Sequence, residues 1–166
     1  MKSFKIMALC ACLVAPPALA QDDGAFVTFK VLKPEVALTA ATAAMESCRD
    51  AGYQVGVMVV DRFGIPQAYV RDRFAGLHVF ETARRKAWTA VSFRTDTLSL
   101  GELTAPGEMM AGIRELTEPL ALGGGLVIES SGSIVGGIGV SGAPGPDLDA
   151  DCAEAGIDAI MDDIAF

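Results

Sequence analysis

Apolar residues recur every three or four positions in three stretches of this chain, which predicts three amphipathic helices. The first covers Pro34 to about Arg49, the second covers residues 77–92, and the third follows the Pro/Gly-rich loop 143–146. The apolar stripe of the third helix consists of Ala153, Ile157, Ile160 and Ile164. Its N-terminus carries Asp147, Asp149 and Asp151, which suit the positive end of the helix dipole. Residues 95–118 are mixed and predict short helical pieces.

Shorter runs rich in β-branched residues, separated by turn residues, predict two β-hairpins. The first joins residues 55–61 to 66–71, and the second joins 119–129 to 133–140. Hairpins require antiparallel pairing, so the order helix, hairpin, helices, hairpin, helix predicts an α+β sandwich rather than a doubly wound parallel sheet. Residues 21–33, ahead of the first helix, are predicted to form an extended lead-in.

The first twenty residues have the layout of a secretory signal peptide. Two lysines accompany the apolar stretch 6–14, two prolines break it, and Ala18-Leu19-Ala20 places small residues where a signal peptidase cuts. We therefore expect cleavage after Ala20 and export to the periplasm or beyond. No later apolar run approaches the roughly 20 residues of a transmembrane helix, so no membrane span is predicted. The rest of the chain is predicted to be one domain over residues 34–166.

The charge of the chain argues against nucleic acid as a partner. The whole chain has a net charge of −8, and residues 1–20 contain two lysines and no acid, so the part after Ala20 has a net charge of −10. Such an acidic domain repels the phosphate backbone of DNA and RNA, and it repels anionic membrane surfaces for the same reason.

Two of the four cysteines, Cys48 and Cys152, remain after the predicted cleavage. An even number of cysteines in an oxidising compartment predicts a disulfide between them, with two buried free thiols as the alternative. Two cysteines and one histidine are too few for a structural zinc site. If the first and last helices lie antiparallel on one face, the late position of Cys48 and the early position of Cys152 bring the two side chains together.

The helix over residues 77–92 is predicted to carry the one histidine of the chain on a polar face. The apolar face consists of Phe80, Ala83, Ala87 and Val91, and the opposite face consists of His78, Glu81, Thr82, Arg85 and Thr89. His78 is therefore expected to point away from the core of the domain, with the carboxylate of Glu81 one turn further along.

Two groups of motifs resemble the GlcG/HbpS family. The first comprises Asp61-Arg-Phe-Gly64, Arg71 and Glu81-Thr-Ala-Arg-Arg-Lys86-Ala87-Trp-Thr89-Ala90. The second comprises Gly123-Gly-Gly125-Leu-Val-Ile128, Gly136-Gly-Ile-Gly-Val-Ser-Gly142 and Asp151-Cys-Ala153. The resemblance covers roughly residues 36–163. The sequence departs from the family pattern at two places. Many relatives have Arg-Met-Asp-Gly-Ala where this chain has Arg71-Asp72-Arg73-Phe74-Ala75-Gly76, and proline is common where this chain has Val127.

The resemblance implies a profilin-like three-layer sandwich, with a central five-stranded antiparallel sheet flanked by helices, and it implies a homo-oligomer. It also implies haem as a cofactor, since family members are linked to haem binding or degradation. Haem iron is commonly held by histidine, so His78 is the candidate ligand and Glu81 the group that orients its ring. Arg71, Arg73 or Arg85 can pair with the haem propionates. The expected function is that of an exported haem-binding protein, acting as a carrier, sensor or scavenger.

Two other functions stay open from the sequence. One is an enzyme or accessory protein acting on a small organic acid at a subunit-interface pocket, where Arg71, Arg85 and the N–H groups of Gly123, Gly124 and Gly125 hold the carboxylate. The other is a structural oligomer without a ligand. In that case His78 is an ordinary solvated residue and the three glycines permit close backbone approach. No catalytic motif is evident, because Gly139-Val-Ser-Gly-Ala143 lacks the last glycine of a nucleophile elbow.

Overall fold

The structure, a computed structural model of the chain, describes residues 24–165. The predicted signal peptide with its cleavage site, and the first three residues of the lead-in, lie outside the described residues. The described helices and strands are α1 (Pro34–Asp50), β1 (Gly56–Asp61), β2 (Pro66–Arg71), α2 (Val79–Phe93), α3 (Thr97–Leu103), β3 (Gly125–Ser130), β4 (Ser133–Ser141), α4 (Pro146–Asp158) and α5 (Met161–Ile164), with a short 3-10 helix at Ala111–Glu115. No helix within residues 24–165 is long and apolar enough to cross a membrane.

The strands form one antiparallel sheet in the order β2-β1-β4-β3. The α+β class and the two hairpins are confirmed, but the expectation of five strands is wrong, since residues 24–165 contain four. Residues 26–33 of the lead-in have a strand-like sequence and no strand partner within the described chain. Residues 119–124 are not part of β3 either, because Gly124 adopts a φ of 107° that is incompatible with a regular strand.

Both faces of the sheet are buried, which accounts for the unbroken apolar run of β1. Val57 and Val59 lie in the core formed with α1 and α4, whereas Met58 and Val60 lie in the core formed with α2. Successive residues of a strand point to opposite faces, so a strand that is covered on both sides is apolar at every position. The domain therefore has three layers, with α1 and α4 on one side of the sheet and α2 on the other.

Two glycines in β4 allow α2 to lie close against the sheet. A Cβ atom on Gly137 would stand 2.7 Å from Cγ1 of Val91, and one on Gly139 would stand 2.6 Å from the backbone N of Ala87. A residue with a side chain does not fit between the two backbones. This close contact fixes α2, and with it the residue that precedes α2, His78, relative to the sheet.

A disulfide joins α1 to α4, as predicted. Cys48, near the end of α1, is bonded to Cys152 in α4, and their Cα atoms are 5.4 Å apart. Further along α4, Gly156 lies against Ala40 and Ala44, which come earlier in α1. The two helices therefore run antiparallel, and the argument from their direction that paired the cysteines is confirmed.

Candidate functional site

A lysine is buried where α2, β4 and α4 meet. Only 1% of the Lys86 side chain is exposed, and its Nζ donates hydrogen bonds to Oδ2 of Asp149 at 2.7 Å and to the carbonyl oxygen of Val140 at 2.9 Å. A buried ammonium is tolerated when it is paired with a charge and hydrogen-bonded. The pair ties α2 to α4 across the end of β4.

Asp149 also holds the loop that leads into α4. Its Oδ1 accepts a hydrogen bond from the backbone N of Ala143 at 2.9 Å. Burial raises the pKa of Asp149, against the opposing effects of Lys86 and of the backbone N–H groups of Gly142 and Ala143. Burial likewise lowers the pKa of Lys86, against the attraction of the carboxylate. Burying two charges costs free energy of desolvation, which the attraction between Lys86 and Asp149 and their hydrogen bonds must offset.

A cavity of about 440 Å³, with several polar side chains in its lining, adjoins this ion pair. Its lining includes His78, Thr82, Ser141 and the loop 142–146, together with Lys86, Asp149 and Leu122. Oγ1 of Thr82 lies 2.6 Å from Oγ of Ser141 and 3.1 Å from the carbonyl oxygen of His78. The cavity thus combines one imidazole, two hydroxyl groups and an ion pair whose charges compensate each other.

His78 lies at the mouth of this cavity, directly before the first residue of α2, and its side chain is exposed. Large apolar side chains close to it in the chain are exposed as well: Phe74 at 79%, Leu77 at 96% and Phe80 at 48%. The Phe80 ring packs edge-on against Tyr69, with 4.9 Å between ring centroids. The prediction that His78 points away from the core is confirmed, and an apolar surface accompanies it.

The loop that carries His78 is shaped by Asp72. The Asp72 carboxylate accepts hydrogen bonds from Nε of Arg49 at 2.7 Å and from the backbone N of Arg73 at 2.8 Å. The hydrogen bond from Arg49 lowers the pKa of Asp72. The candidate ligand-binding residue Arg71 braces the same loop, since its guanidinium donates to the carbonyl oxygen of Ala75. The loop is therefore attached to α1 by a salt bridge and to β2 by Arg71.

The other charged candidates on α2 bind groups of the protein. Glu81 accepts from Nη2 of Arg84 at 2.8 Å, so its carboxylate is directed to that arginine, which also binds Glu118 at 2.5 Å. Arg85 donates hydrogen bonds of 2.9, 3.0 and 2.8 Å to three backbone carbonyl oxygens of residues 117–119. Two successive arginines thus anchor the segment before β3 to α2.

The three glycines before β3 lie where backbones approach one another closely. A Cβ atom on Gly123 would stand 2.9 Å from the carbonyl oxygen of Pro146, and one on Gly124 would stand 3.0 Å from Nζ of Lys86. A Cβ atom on Gly125 would stand 2.8 Å from the carbonyl carbon of Lys86. Close packing accounts for these glycines, while their role in holding an anion stays a prediction.

The sequence analysis missed the buried pair Lys86–Asp149. The predicted polar face of α2 is also wrong at Thr89, which is fully buried and accepts a hydrogen bond from the backbone N of Leu120 at 2.9 Å. Lys86 lies next to Ala87 and three residues after Ala83, within the apolar stripe of the helix. A lysine in such a stripe requires a buried carboxylate, and that requirement is the signal by which the pair could have been found.

An antiparallel sheet covered by helices on both faces, with a cavity at the start of α2, defines a small three-layer α+β domain. Residues 32–158 match the family of HbpS-like haem degrading proteins, and the chain belongs to this family. The resemblance drawn from the sequence motifs is therefore confirmed.

Solved structures of relatives have the same fold. A double mutant of HbpS from Streptomyces reticuli is 35% identical, with a TM-score of 0.78 over 89% of this chain and 98% of that chain. A complex of PduOC with haem is 30% identical, with a TM-score of 0.73 over 78% of this chain and 95% of that chain.

A curated relative is a much longer protein. The corrinoid adenosyltransferase PduO of Salmonella typhimurium is 33% identical over 120 residues, which is 71% of this chain and 35% of that protein. The chain thus spans about a third of the length of the curated relatives it matches.

Proposed function

We propose that this chain is an exported haem-binding protein in which the imidazole of His78 would hold the iron. The observation that carries the proposal is the exposed His78 side chain beside exposed apolar residues, in a chain with a solved relative in complex with haem. We assign it the role of a carrier, sensor or scavenger, because binding alone suffices for each of these.

The side chains around His78 fit the three parts of a haem. Phe74, Leu77 and Phe80 offer apolar surface to the porphyrin ring, and the imidazole is a common ligand of haem iron. Arg73, exposed in the same loop, is suited to a propionate. Bound haem would supply an iron centre that can change its oxidation state.

The backbone around His78 positions its ring. The ring lies against Gly76, where a Cβ atom would stand 2.7 Å from Cε1 of the imidazole. The hydroxyl of Thr82 is within hydrogen-bond distance of the His78 carbonyl oxygen. Because Glu81 is bound to Arg84, we propose that these contacts, rather than the Glu81 carboxylate, orient the ring.

Export is part of the proposal. The signal-peptide pattern of residues 1–20 supports it, and so does the pairing of Cys48 with Cys152, since disulfides persist in oxidising compartments. We place the protein in the periplasm or outside the cell, with cleavage after Ala20.

A haemin titration followed by absorbance tests the binding proposal. Protein produced from the full chain should give a saturable Soret shift, and His78→Ala should abolish or displace it. Added imidazole should restore the wild-type spectrum in that variant, because a free ligand replaces the missing side chain. Glu81→Gln serves as the matched control and should change the apparent Kd by less than about threefold, whereas a group that orients a ligand usually contributes 10–100-fold.

Each other outcome has a defined meaning. A saturable shift that survives His78→Ala would retain haem binding and transfer the ligand role to another residue. The absence of any saturable shift would refute the haem proposal. N-terminal sequencing of the protein recovered from the periplasm or medium tests export, and a chain retained in the cytoplasm with an intact N-terminus would contradict it.

A small organic acid in the cavity is the second candidate. The hydroxyl groups of Thr82 and Ser141 beside His78 favour it. It ranks lower because Arg85 is bound to three carbonyl groups and the charge of Lys86 is compensated by Asp149. Isothermal titration with short-chain hydroxy and keto acids would detect such a site independently of haem.

A further inference from the structure

We propose that the lead-in of one copy of this chain adds a fifth strand to the sheet of a second copy, along the open edge of β3. The two copies exchange lead-ins, so that each sheet is completed by its partner. This inference is independent of haem and concerns surfaces away from His78.

The lead-in is an apolar segment outside the helices and strands, and most of its side chains are exposed. Phe26 and Val27 are 80% and 77% exposed, and Phe29 and Val31 are 45% and 52% exposed. Leu32, which is 7% exposed, attaches the segment to the domain, and Phe29 packs edge-on against Phe63 with the Arg62 guanidinium 4.0 Å from its ring centroid. Exposed apolar residues in a contiguous extended segment are typical of an interaction site, and this sequence has the alternation of a strand.

The edge of β3 offers a place for such a strand. Within residues 24–165 the only strand that pairs with β3 is β4. At the start of its other side, the Thr97 hydroxyl binds the N–H and C=O groups of Gly125, and the part of the edge after Gly125 has no strand partner among these residues. A groove of about 580 Å³ runs along this edge, between residues 94–96 and α4. β3 has six residues, the same length as the exposed segment 26–31.

The charges of the lead-in and the groove are complementary. The groove is lined by five carboxylates and one guanidinium: Asp96, Glu129, Asp151, Glu154, Asp158 and Arg94. Residues 24–33 contain two lysines, Lys30 and Lys33, and no acid. The opposite edge of the sheet is less suited, because β2 begins with Pro66, which lacks an N–H group, and ends with Arg71.

The side-chain alternation of the lead-in also matches the two faces of the groove. Val27, Phe29 and Val31 share one side of an extended strand, and Lys30 lies on the other. With the apolar side toward α4, it meets Leu126 and Ile157 of the groove, and Lys30 then lies on the side of Glu129. Since every copy carries both a lead-in and a groove, reciprocal exchange closes a symmetric dimer.

Cross-linking of two differently tagged chains tests the exchange. A tagged chain carrying Thr28→Cys is co-expressed with an untagged chain carrying Val127→Cys, and the purified protein is treated with a short bis-maleimide. Cys48 and Cys152 are already paired, and Cys10 and Cys12 are replaced by serine in both chains, so only the new thiols react. We expect a tagged–untagged cross-link, and the matched control with Gln67→Cys on β2 should give a yield lower by at least about tenfold, since β2 lies at the far edge of the sheet.

A second measurement uses charge reversal. Glu129→Lys should raise the dimer dissociation constant, measured by sedimentation, by about tenfold or more, and Lys30→Glu in the same chain should recover most of this loss. A chain that is monomeric at all accessible concentrations would overturn the proposal. The absence of a tagged–untagged cross-link would overturn it as well. So would equal cross-linking to Gln67→Cys, or a dimer dissociation constant that neither charge reversal changes.

Discussion

At the scale of single residues, Lys86 determines how the region around His78 is built. Its ammonium joins α2 to Asp149, and the same carboxylate holds the backbone of Ala143 in the wall of the cavity. One buried ion pair therefore positions both α2 and the loop before α4, which line the cavity. Such a pair adds little net stability over an apolar pair, but the loss of one partner leaves the other charged and buried.

Lys86→Met is expected to destabilise the domain by about 3–5 kcal/mol, because it leaves the Asp149 carboxylate buried without its partner. Urea unfolding at neutral pH measures this. Burial raises the pKa of Asp149, so the folded variant takes up a proton at a higher pH than the unfolded chain does. The deficit should therefore shrink as the pH is lowered toward the ordinary carboxyl range and be largest at neutral pH.

The double variant Lys86→Met/Asp149→Leu removes both charges and should recover a large part of the lost stability. Glu102→Met, at an exposed charged residue, is the control and should lie within about 0.5 kcal/mol of the wild type. If Lys86→Met alone were as stable as that control, the pair would have no structural role.

The charged residues of α2 show what a sequence reveals at this scale. Helical periodicity placed Glu81 and Arg85 on the outer side of the helix. It did not reveal their partners, because Arg85 binds residues 117–119 and Glu81 shares Arg84 with Glu118, more than thirty positions away. Lys86 and Thr89 contradict the predicted polar face, since a distant carboxylate and a backbone N–H group make their burial possible.

At the scale of elements, two glycines bring α2 into close contact with β4. The absence of side chains at Gly137 and Gly139 lets the helix backbone approach the strand, and Ala83 and Ala87 are the helix residues involved. The close packing of α2, the helix that follows His78, therefore requires glycines in β4.

Gly139→Ala is expected to destabilise the domain by about 3 kcal/mol, at the upper end of the range for overpacking, because the added Cβ meets helix backbone rather than a movable side chain. Thermal or urea unfolding measures the loss. Gly112→Ala is the matched control, since nothing lies within 4 Å of a Cβ atom there, and it should be close to neutral. Equal stability of the two variants would show that α2 can move away from β4 at little cost.

The elements themselves were largely predictable. The apolar periodicity of α1 and α2 and the turn between β1 and β2 are properties of contiguous residues, and the structure contains them within a few positions of the prediction. The prediction of a strand over residues 119–124 was wrong. The glycines in this stretch allow close contacts with Lys86 and Pro146, and they were interpreted as part of a strand. Composition alone does not separate these two uses of glycine.

At the scale of the whole molecule, the Cys48–Cys152 disulfide joins two outer helices across 104 positions of the chain. A cross-link over so long a loop restricts the unfolded chain strongly, and in the chain-entropy model it stabilises the folded state by about 3–5 kcal/mol.

The variant Cys48→Ser/Cys152→Ser should therefore unfold at a lower urea concentration, with a loss of about 3–5 kcal/mol. Adding a reducing agent to the wild type should lower its stability to the same level. The same agent should leave the variant unchanged, which serves as the control. A measurement of free thiols shows whether the disulfide has been reduced. A reduced wild type that keeps its full stability would contradict this account.

The sequence by itself determined the order of helices and hairpins, the pairing of the two cysteines and membership of the HbpS-like family, because each depends on periodicity, spacing or contiguous motifs. The tertiary structure alone decided that Lys86 is buried on Asp149, that Glu81 and Arg85 bind protein groups, and that the described chain has four strands. These features depend on which distant segments meet: Lys86 and Asp149 are 63 positions apart. Which groups are buried and which are paired is decided only when the layers assemble. The local pattern of the sequence therefore does not reveal these contacts.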